Sequence, residues 1–420
     1  MGFMNDQFSN WATVDEAGRV IIPPETAARL GIKPGSHLRL EEQGNQIRLH
    51  RPADHLNKVY IEPTTLCNLD CTMCVRNGWE ETLGRMTEET FECIFNGLKE
   101  MDSLPTVFFG GIGEPLYHPS TVQWIARVKE LGCKVELITN GTTLTERRAR
   151  QLVEAGLDVL WVSIDGATPE HYADVRLGAQ LPQVLENLDR LRRMRAGGHF
   201  PKPAIGIAFV AMRRNIQDLP ALLTIGRQLG ATLFNVSNVM PYTEDMQAES
   251  LFTRTLKNIA YFPSPMVPHL SLPKMDLDEF TQDAFVQAVN SGYHVNFAGN
   301  SFSNANDICN FIQSGSMSIA FDGFVSPCWP LMHTHTSYLH NKARHSCRHT
   351  IANVRERSLI DIWNDPGYFE YRQKVQGFRF APCTFCGGCE MSEANDEDCI
   401  GNEFPACGGC LWSQGVIQCP

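Results

Sequence analysis

The sequence lacks any run of about 18 uninterrupted apolar residues, so no membrane-spanning helix is expected. Its first residues, MGFMNDQFSNWATVDEAG, lack the basic-then-apolar pattern of a secretory signal. Asp6 stands where a myristoylation motif would carry Ser or Thr. Basic charge is also short: 36 Lys and Arg against 47 Asp and Glu leave a net charge of −11. That balance argues against broad nucleic-acid binding, which depends on cations that neutralise phosphate. With 43% hydrophobic residues the chain is not deficient in core material, which excludes disorder. A cytoplasmic, globular protein of two or three domains is expected from 420 residues.

Cysteine is abundant. In a reducing compartment, 15 cysteines point to metal binding or catalysis rather than to a disulfide framework. Three lie at 67–74, Cys93 and Cys133 stand alone in apolar settings and read as small core residues, and ten fall between 309 and 419.

Four segments are distinguished. Residues 10–53 carry short alternating runs (Trp11–Val14, Arg19–Ile22, His37–Leu40, Gln46–His50), a short helical pattern to Leu30 and a Gly44-Asn45 turn. Residues 58–240 alternate strand-like and helix-like stretches. The strand candidates are Val59–Glu62, Thr106–Phe109, Lys134–Thr139, Val159–Ile164, Ala204–Val210 and Thr232–Val236. Between them lie amphipathic stretches such as Thr87–Asp102, Thr121–Leu131, Thr145–Ala155, Leu181–Ala196 and Leu219–Leu229. This repeat implies a parallel sheet, open or curled toward a barrel; periodicity alone does not choose. Residues 241–305 show little regular pattern and read as a connecting, substrate-facing segment. Residues 306–420 hold too much Gly, Pro and Cys for a large apolar core, so metal is expected to supply much of their stability.

The chemistry-bearing motifs fall at the ends of the strand candidates, where barrel-type folds place their sites. Cys67, Cys71 and Cys74, spaced CxxxCxxC, follow the first strand. Gly110-Gly111-Ile112-Gly113-Glu114-Pro115 follows the second, Thr139-Asn140-Gly141 the third, and Ser163-Ile164-Asp165-Gly166 ends the fourth. A four-iron cubane normally takes four thiolates, so three ligands in one loop would leave one iron open. A zinc knuckle would account for the thiols but not for the glycine motif.

In this combination the region 58–240 resembles the radical S-adenosylmethionine (SAM) enzymes, in their SPASM branch. Met73 departs from the aromatic residue common before the third cysteine, and a flexible apolar side chain is expected to be tolerated there. The resemblance implies an α/β fold with a partial (β/α)6 TIM-type barrel. Cys67, Cys71 and Cys74 would hold a 4Fe–4S cluster whose open iron chelates SAM. Gly110, Gly111 and Gly113 would let backbone approach the methionine, with Glu114 assisting there or holding the loop. Asn140, Ser163 and Asp165 would bond the ribose or carboxylate, and Arg176 fits the branch pattern as a carboxylate partner. One electron, supplied by a low-potential donor such as ferredoxin or flavodoxin, would cleave SAM to a 5′-deoxyadenosyl radical that takes a substrate hydrogen.

Residues 10–53 resemble the swapped-hairpin domain of the AbrB, MazE and SpoVT proteins, with its G-R-V-x-I-P core and L-G-I-K-P-G turn. So small a unit is expected to form a homodimer through interleaved hairpins. Six basic residues against five acidic ones over 11–52 are thin for phosphate contact, so DNA binding is not expected.

In the C-terminal region Cys309, Gly323 and Cys328 fit the opening of the SPASM signature; Cys383, Cys386, Cys389, Cys399, Cys407, Cys410 and Cys419 depart from its usual second half. Ten cysteines suffice for two auxiliary 4Fe–4S clusters with two left over. Sequential order puts Cys309, Cys328 and Cys347 in the nearer cluster and Cys383 with Cys386 in the farther one; one cluster or a zinc site are the alternatives. His333, His335, His340, His345 and His349 crowd the intervening stretch as a metal ligand, a proton relay or a solvated loop.

Auxiliary clusters of this kind accompany maturation of proteins and peptides. The overall plan is similar to the maturases of tungsten-containing aldehyde ferredoxin oxidoreductases, so a protein or peptide substrate is expected. Ribosomal peptide modification (thioether, crosslink or epimerisation) is the alternative. An iron–sulfur redox-sensing, AbrB-type DNA-binding regulator is the reading from another class.

Overall fold

The computed structural model describes residues 11–43, 46–79, 81–195, 202–252, 269–273, 280–281, 284, 294–297, 300–302, 309–378, 380–381, 383–386 and 389–419. Two antiparallel hairpins come first: β1 (Thr13–Val14) with β2 (Val20–Ile21), and β3 (Leu40–Gln43) with β4 (Gln46–Leu49). Helix α1 (Pro24–Leu30) lies between them; Pro24 opens it and Gly31, at φ 70°, ends it in the left-handed conformation that glycine adopts freely.

Six parallel strands follow: β5 (Lys58–Ile61), β6 (Thr106–Phe109), β7 (Val135–Thr139), β8 (Val159–Ser163), β9 (Ala204–Ala211) and β10 (Ala231–Asn238). Each pairs with its sequence neighbour, so the sheet runs in simple order from β5 to β10. The crossovers are helices: α2 (Glu88–Lys99), α3 (Thr121–Glu130), α4 (Glu146–Glu154), α5 (Pro169–Val175), α6 (Leu181–Met194) and α7 (Leu219–Gln228). Thr87, Thr145 and Thr168 cap α2, α4 and α5 by accepting a backbone N–H with their hydroxyls. The expected alternation is therefore present, and among the described residues β10 ends the sheet unpaired on its outer side: the barrel is partial.

Strand periodicity divides two cores. Val59, Ile61, Val107, Phe109, Val135, Leu137, Leu160 and Val162 face the helices. Tyr60 and Phe108 face inward, with Ile138 and Trp161 beside them, and there the C-terminal residues Leu411, Trp412, Val416 and Ile417 cover them. The tail is pinned inside the barrel by Asn238, whose amide donates to the Val416 carbonyl, and by Ser237, which accepts the Gln418 N–H.

The structure differs from the sequence reading in two places. Strand β14 (Ser316–Ile319) lies parallel to β5 and extends the barrel sheet, continuing into β15 (Phe324–Ser326) and β18 (Ala352–Asn353). A boundary at 306 thus does not separate two sheets; the edge of β5 would otherwise present unpaired backbone groups. Between 241 and 305, most of which lies outside the described residues, short strands His269–Leu272, His294–Phe297 and Asn300–Phe302 form a small sheet where no regular pattern was expected. Among the described residues no helix is long and apolar enough to cross a membrane.

Helix α3 is anchored by Trp124, fully buried, stacked on Phe91 at 4.4 Å and donating its indole N–H to Glu88 at 2.9 Å. Trp124→Ala is expected to lower stability by about 3–5 kcal/mol; the urea midpoint of the anaerobic, iron-loaded protein measures it.

Candidate active site

The loops at the C-terminal ends of β5 to β8 meet in one cleft. Its walls include Cys67, Cys71, Cys74, Arg76, Gly111, Gly113, Asn140, Ser163 and Arg176, around about 860 Å³ of empty space. The expected rim motifs are thus brought together, except that Gly110 and Asp165 stand behind the wall.

Backbone contact between the first two loops sets the cleft. Glu114 N–H donates to the Leu66 carbonyl at 2.9 Å. A Cβ on Gly113 would fall 2.3 Å from the Thr64 carbonyl oxygen and 2.4 Å from that of Leu66, so only glycine allows this approach. Gly110 is required by packing instead, since a Cβ there would meet the Phe108 ring at 2.3 Å.

Glu114 holds loops together rather than facing the cleft with a free carboxylate. It is 2% exposed and accepts the Thr139 hydroxyl (2.7 Å), the Asn140 N–H (2.7 Å) and the Leu116 N–H (3.0 Å). Burial pushes its pKa up, against those three donors. Asn140 reaches toward the thiol loop: its amide donates to Asn68 at 3.0 Å and lies 3.9 Å from the Cys67 sulfur.

Asp165 corrects the expectation of a ligand-facing carboxylate. It is fully buried, with one oxygen on Arg176 Nε (2.6 Å) and the other on the Val210 N–H (2.7 Å). The residue it presents to the cleft is Arg176. Burial alone would lower the Arg176 pKa; the Asp165 carboxylate, with Cys71 and Tyr172 beside it, outweighs this and raises it, so the guanidinium stays charged. Arg76 donates through Nε to the Cys74 sulfur at 3.4 Å. Tyr242, Trp329, Met73 and Ile138 supply apolar wall. Sequence reasoning did not single out Tyr242 or Trp329, although Trp329 directly follows Cys328 in the SPASM opening.

Three clustered thiols fit a site-differentiated cluster by donor chemistry; burial pushes Cys71 up to about 11, so its thiol keeps its proton until a metal displaces it. Among the described residues no three Cys, His, Asp or Glu side chains converge closely enough to hold a single metal ion.

The distal thiols sort differently from their sequential order. Cys309, Cys328, Cys407 and Cys410 open on one cavity, beside Met240 and Trp412, and charge on one bears on the others. Burial pushes Cys309 up to about 12. Cys383, Cys389 and Cys399 form a second charge-coupled group, with Cys386 ending the helix Cys383–Cys386. Cys347 joins neither group: its N–H donates to Asn395, and its thiol, raised by burial, lies beside Asp396. Cys419 accepts from the Trp412 indole at 3.4 Å. Of the sequential assignment, Cys309 stays with Cys328 and Cys383 with Cys386, while Cys347 stands apart; the chain returns, carrying Cys407 and Cys410 back against the first pair. Arg344 lies between the groups: its Nε donates to the Ser392 carbonyl at 2.8 Å, and the anionic neighbours bearing on it are Cys383 and Cys410. Burial disfavours that cation, so anionic groups on both sides suit it.

The five clustered histidines are dispersed. His333 is bound between two carboxylates, His335 Nδ1 donates to the His333 carbonyl, and His340 Nε2 donates to the Thr384 carbonyl. His335 and His345 line the cavity on which Cys309, Cys328, Cys407 and Cys410 open.

Known proteins share this arrangement. Residues 61–200 match the radical SAM superfamily, 309–390 the SPASM iron–sulfur cluster-binding domain, and 12–55 the MazE bacterial antitoxin family of antidote–toxin recognition. The chain is 31% identical, over 86% of its length and 96% of the other's, to the tungsten-containing aldehyde ferredoxin oxidoreductase cofactor-modifying protein of Pyrococcus furiosus. It is 30% identical, over 44% of its length and 59% of the other's, to a probable GTP 3′,8-cyclase of Methanococcus maripaludis. Among solved structures, Streptococcus suis SuiB bound to S-adenosylmethionine superposes with a TM-score of 0.52 at 15% identity, covering 81% of this chain and 72% of SuiB.

Gly113→Ala is expected to force the glycine loop off Thr64 and Leu66 and to reduce SAM affinity by at least about tenfold. Equilibrium dialysis of the iron-loaded protein against labelled SAM measures this.

Proposed function

Because the chain belongs to the radical SAM enzymes with a SPASM domain, in the family of the tungsten oxidoreductase cofactor-modifying protein, we propose that it matures a tungsten-containing oxidoreductase or its cofactor. The observation that carries this reading is likeness along 96% of that protein's length, through barrel and cysteine-rich region together. The superfamily's 4Fe–4S cluster and SAM supply, when bound, a 5′-deoxyadenosyl radical that removes a hydrogen atom from substrate.

In this reading Cys67, Cys71 and Cys74 hold the cluster at the cleft. The Gly111–Gly113 backbone lies against SAM without side chains in the way. Arg176, held charged by Asp165, would pair with the carboxylate of SAM, and Asn140 and Ser163 would offer hydrogen bonds to its polar groups. Tyr242, Trp329 and Met73 exclude water, which protects a reactive species from quenching.

Two auxiliary clusters complete the proposal. Cys309, Cys328, Cys407 and Cys410 hold the inner one; Cys383, Cys386, Cys389 and Cys399 hold the outer one, with Cys389 and Cys399 exposed toward an electron donor such as ferredoxin or flavodoxin. Arg344 balances charge between them. Cys347 and Cys419 are the two left over.

The N-terminal hairpins bring two copies together. They do not pair with each other, and Trp11, Val14, Val20, Leu40 and Ile47 are each at least 65% exposed. A second copy interleaving its hairpins would bury them. Ile47→Glu is expected to convert a dimer to a monomer in light scattering, leaving iron content unchanged.

Anaerobic protein reduced with dithionite tests the main reading. SAM cleavage to 5′-deoxyadenosine should rise several-fold when an immature tungsten oxidoreductase is added. Stimulation by a short precursor peptide instead would move the protein to peptide modification. Cys71→Ala should abolish cleavage while auxiliary-cluster absorbance persists; persistence of cleavage would remove the thiol loop from the chemistry.

A further inference from the structure

His333, one of the crowded histidines, is 2% exposed. Its Nε2 is 2.7 Å from Glu62 Oε2 and its Nδ1 is 2.8 Å from Glu81 Oε2. Carboxylates are acceptors only, so both ring nitrogens carry a proton and the ring is an imidazolium. Burial opposes that charge, but Glu62 and Glu81 raise the pKa to about 9. The Trp79 ring meets it edge-on at 4.7 Å, and Phe321 stacks beside it at 6.3 Å.

Both carboxylates stand behind the cleft, on segments that support its walls. Glu62 directly follows β5, is fully buried and accepts the Ile112 N–H of the glycine loop at 3.0 Å. A Cβ on Gly111 would lie 2.5 Å from the Glu62 side chain, so the loop rests flush on this residue. Glu81 belongs to the segment that follows the thiol loop, whose Gly84 carbonyl accepts the Thr65 N–H at 3.0 Å. Its other oxygen accepts the Thr334 N–H at 2.5 Å. A single cation from the cysteine-rich part of the chain thus clamps the segments before and after the thiol loop and, through Glu62, the glycine loop.

We propose that His333 is a positioning residue through which the C-terminal region fixes the glycine loop, and that it thereby sets the affinity for SAM. The inference rests on the cleft being the SAM site. Without the imidazolium the buried Glu62 carboxylate loses its counter-charge and faces the half-buried Glu81 carboxylate, and Glu62 is free to swing from the Ile112 N–H. The loop then loses the bond that holds its backbone at the cleft wall, while the thiols and Arg176 keep their own supports.

The test measures SAM binding and turnover in iron-loaded protein, wild type against His333→Gln. Wild type should bind SAM; failure to do so would overturn the cleft assignment itself. In His333→Gln the dissociation constant for SAM should rise about tenfold, with iron content intact and turnover at saturating SAM falling much less. Wild-type binding with unchanged affinity in His333→Gln overturns the inference, as does an equal loss in turnover without loss of affinity. Should His333→Gln fail to load iron, Glu81→Gln decides. It removes one of the two charges but keeps an acceptor for Thr334, and a two- to three-fold rise is expected, about the size of one charge lost from a shared cation. No rise in Glu81→Gln overturns the inference equally.

Discussion

The close approach of two strand-end loops is the constraint on which the rest depends. Glycine at 113 lets the second loop lie on the backbone of the first, and the Glu114 N–H bond to Leu66 locks them. The thiols of Cys67, Cys71 and Cys74 belong to the first loop, so this contact decides where three ligands stand relative to the glycine backbone. Glu114 extends the lock to the third strand end through Thr139 and Asn140. Parallel pairing from β5 to β8 brings all four ends to one rim, which makes such a chain of contacts available. Charge is then used sparingly: one buried carboxylate holds the loops, another holds Arg176 charged at the cleft wall.

A partial barrel leaves an inner face and two edges to cover. The chain covers the inner face and the β5 edge with its own C-terminal half. Strand β14 pairs with β5, and the segment carrying Leu411, Trp412, Val416 and Ile417 fills the interior. The cysteine-rich region is therefore part of the same packed body as the radical SAM barrel. The inner four-thiol cavity lies where that returning segment meets the barrel, with Met240 and Trp412 in its wall. Such placement suits a cluster that serves the substrate or passes electrons inward, while the outer group keeps two thiols at the surface.

Much of this was legible in the chain. The six strands and the helices between them fall within a few residues of the positions expected from alternating and helical periodicity, because both faces of the sheet are buried and the pattern is enforced by packing. The rim motifs were legible because their glycines and cysteines sit directly after those strands. Local reading failed where partners are distant in sequence. Nothing near Asp165 shows that its carboxylate is committed to Arg176 and Val210. Nothing near Cys347 shows that Cys407 and Cys410 take the place beside Cys309 and Cys328. His333 and Glu62 are 271 positions apart, so their ion pair follows from the fold alone. Strand β14 was missed for the same reason: four residues of small and apolar character become a strand only because β5 offers an edge.

The central claim is that the CxxxCxxC loop holds a cluster with one iron open to SAM. Electron paramagnetic resonance of the dithionite-reduced protein, before and after SAM is added, tests it most directly. The account predicts that one of the overlapping cluster signals shifts on addition of SAM, and that this shifting component is missing in Cys71→Ala while the others remain. A spectrum unchanged by SAM in the fully iron-loaded protein, or the same shift in Cys71→Ala, would contradict it.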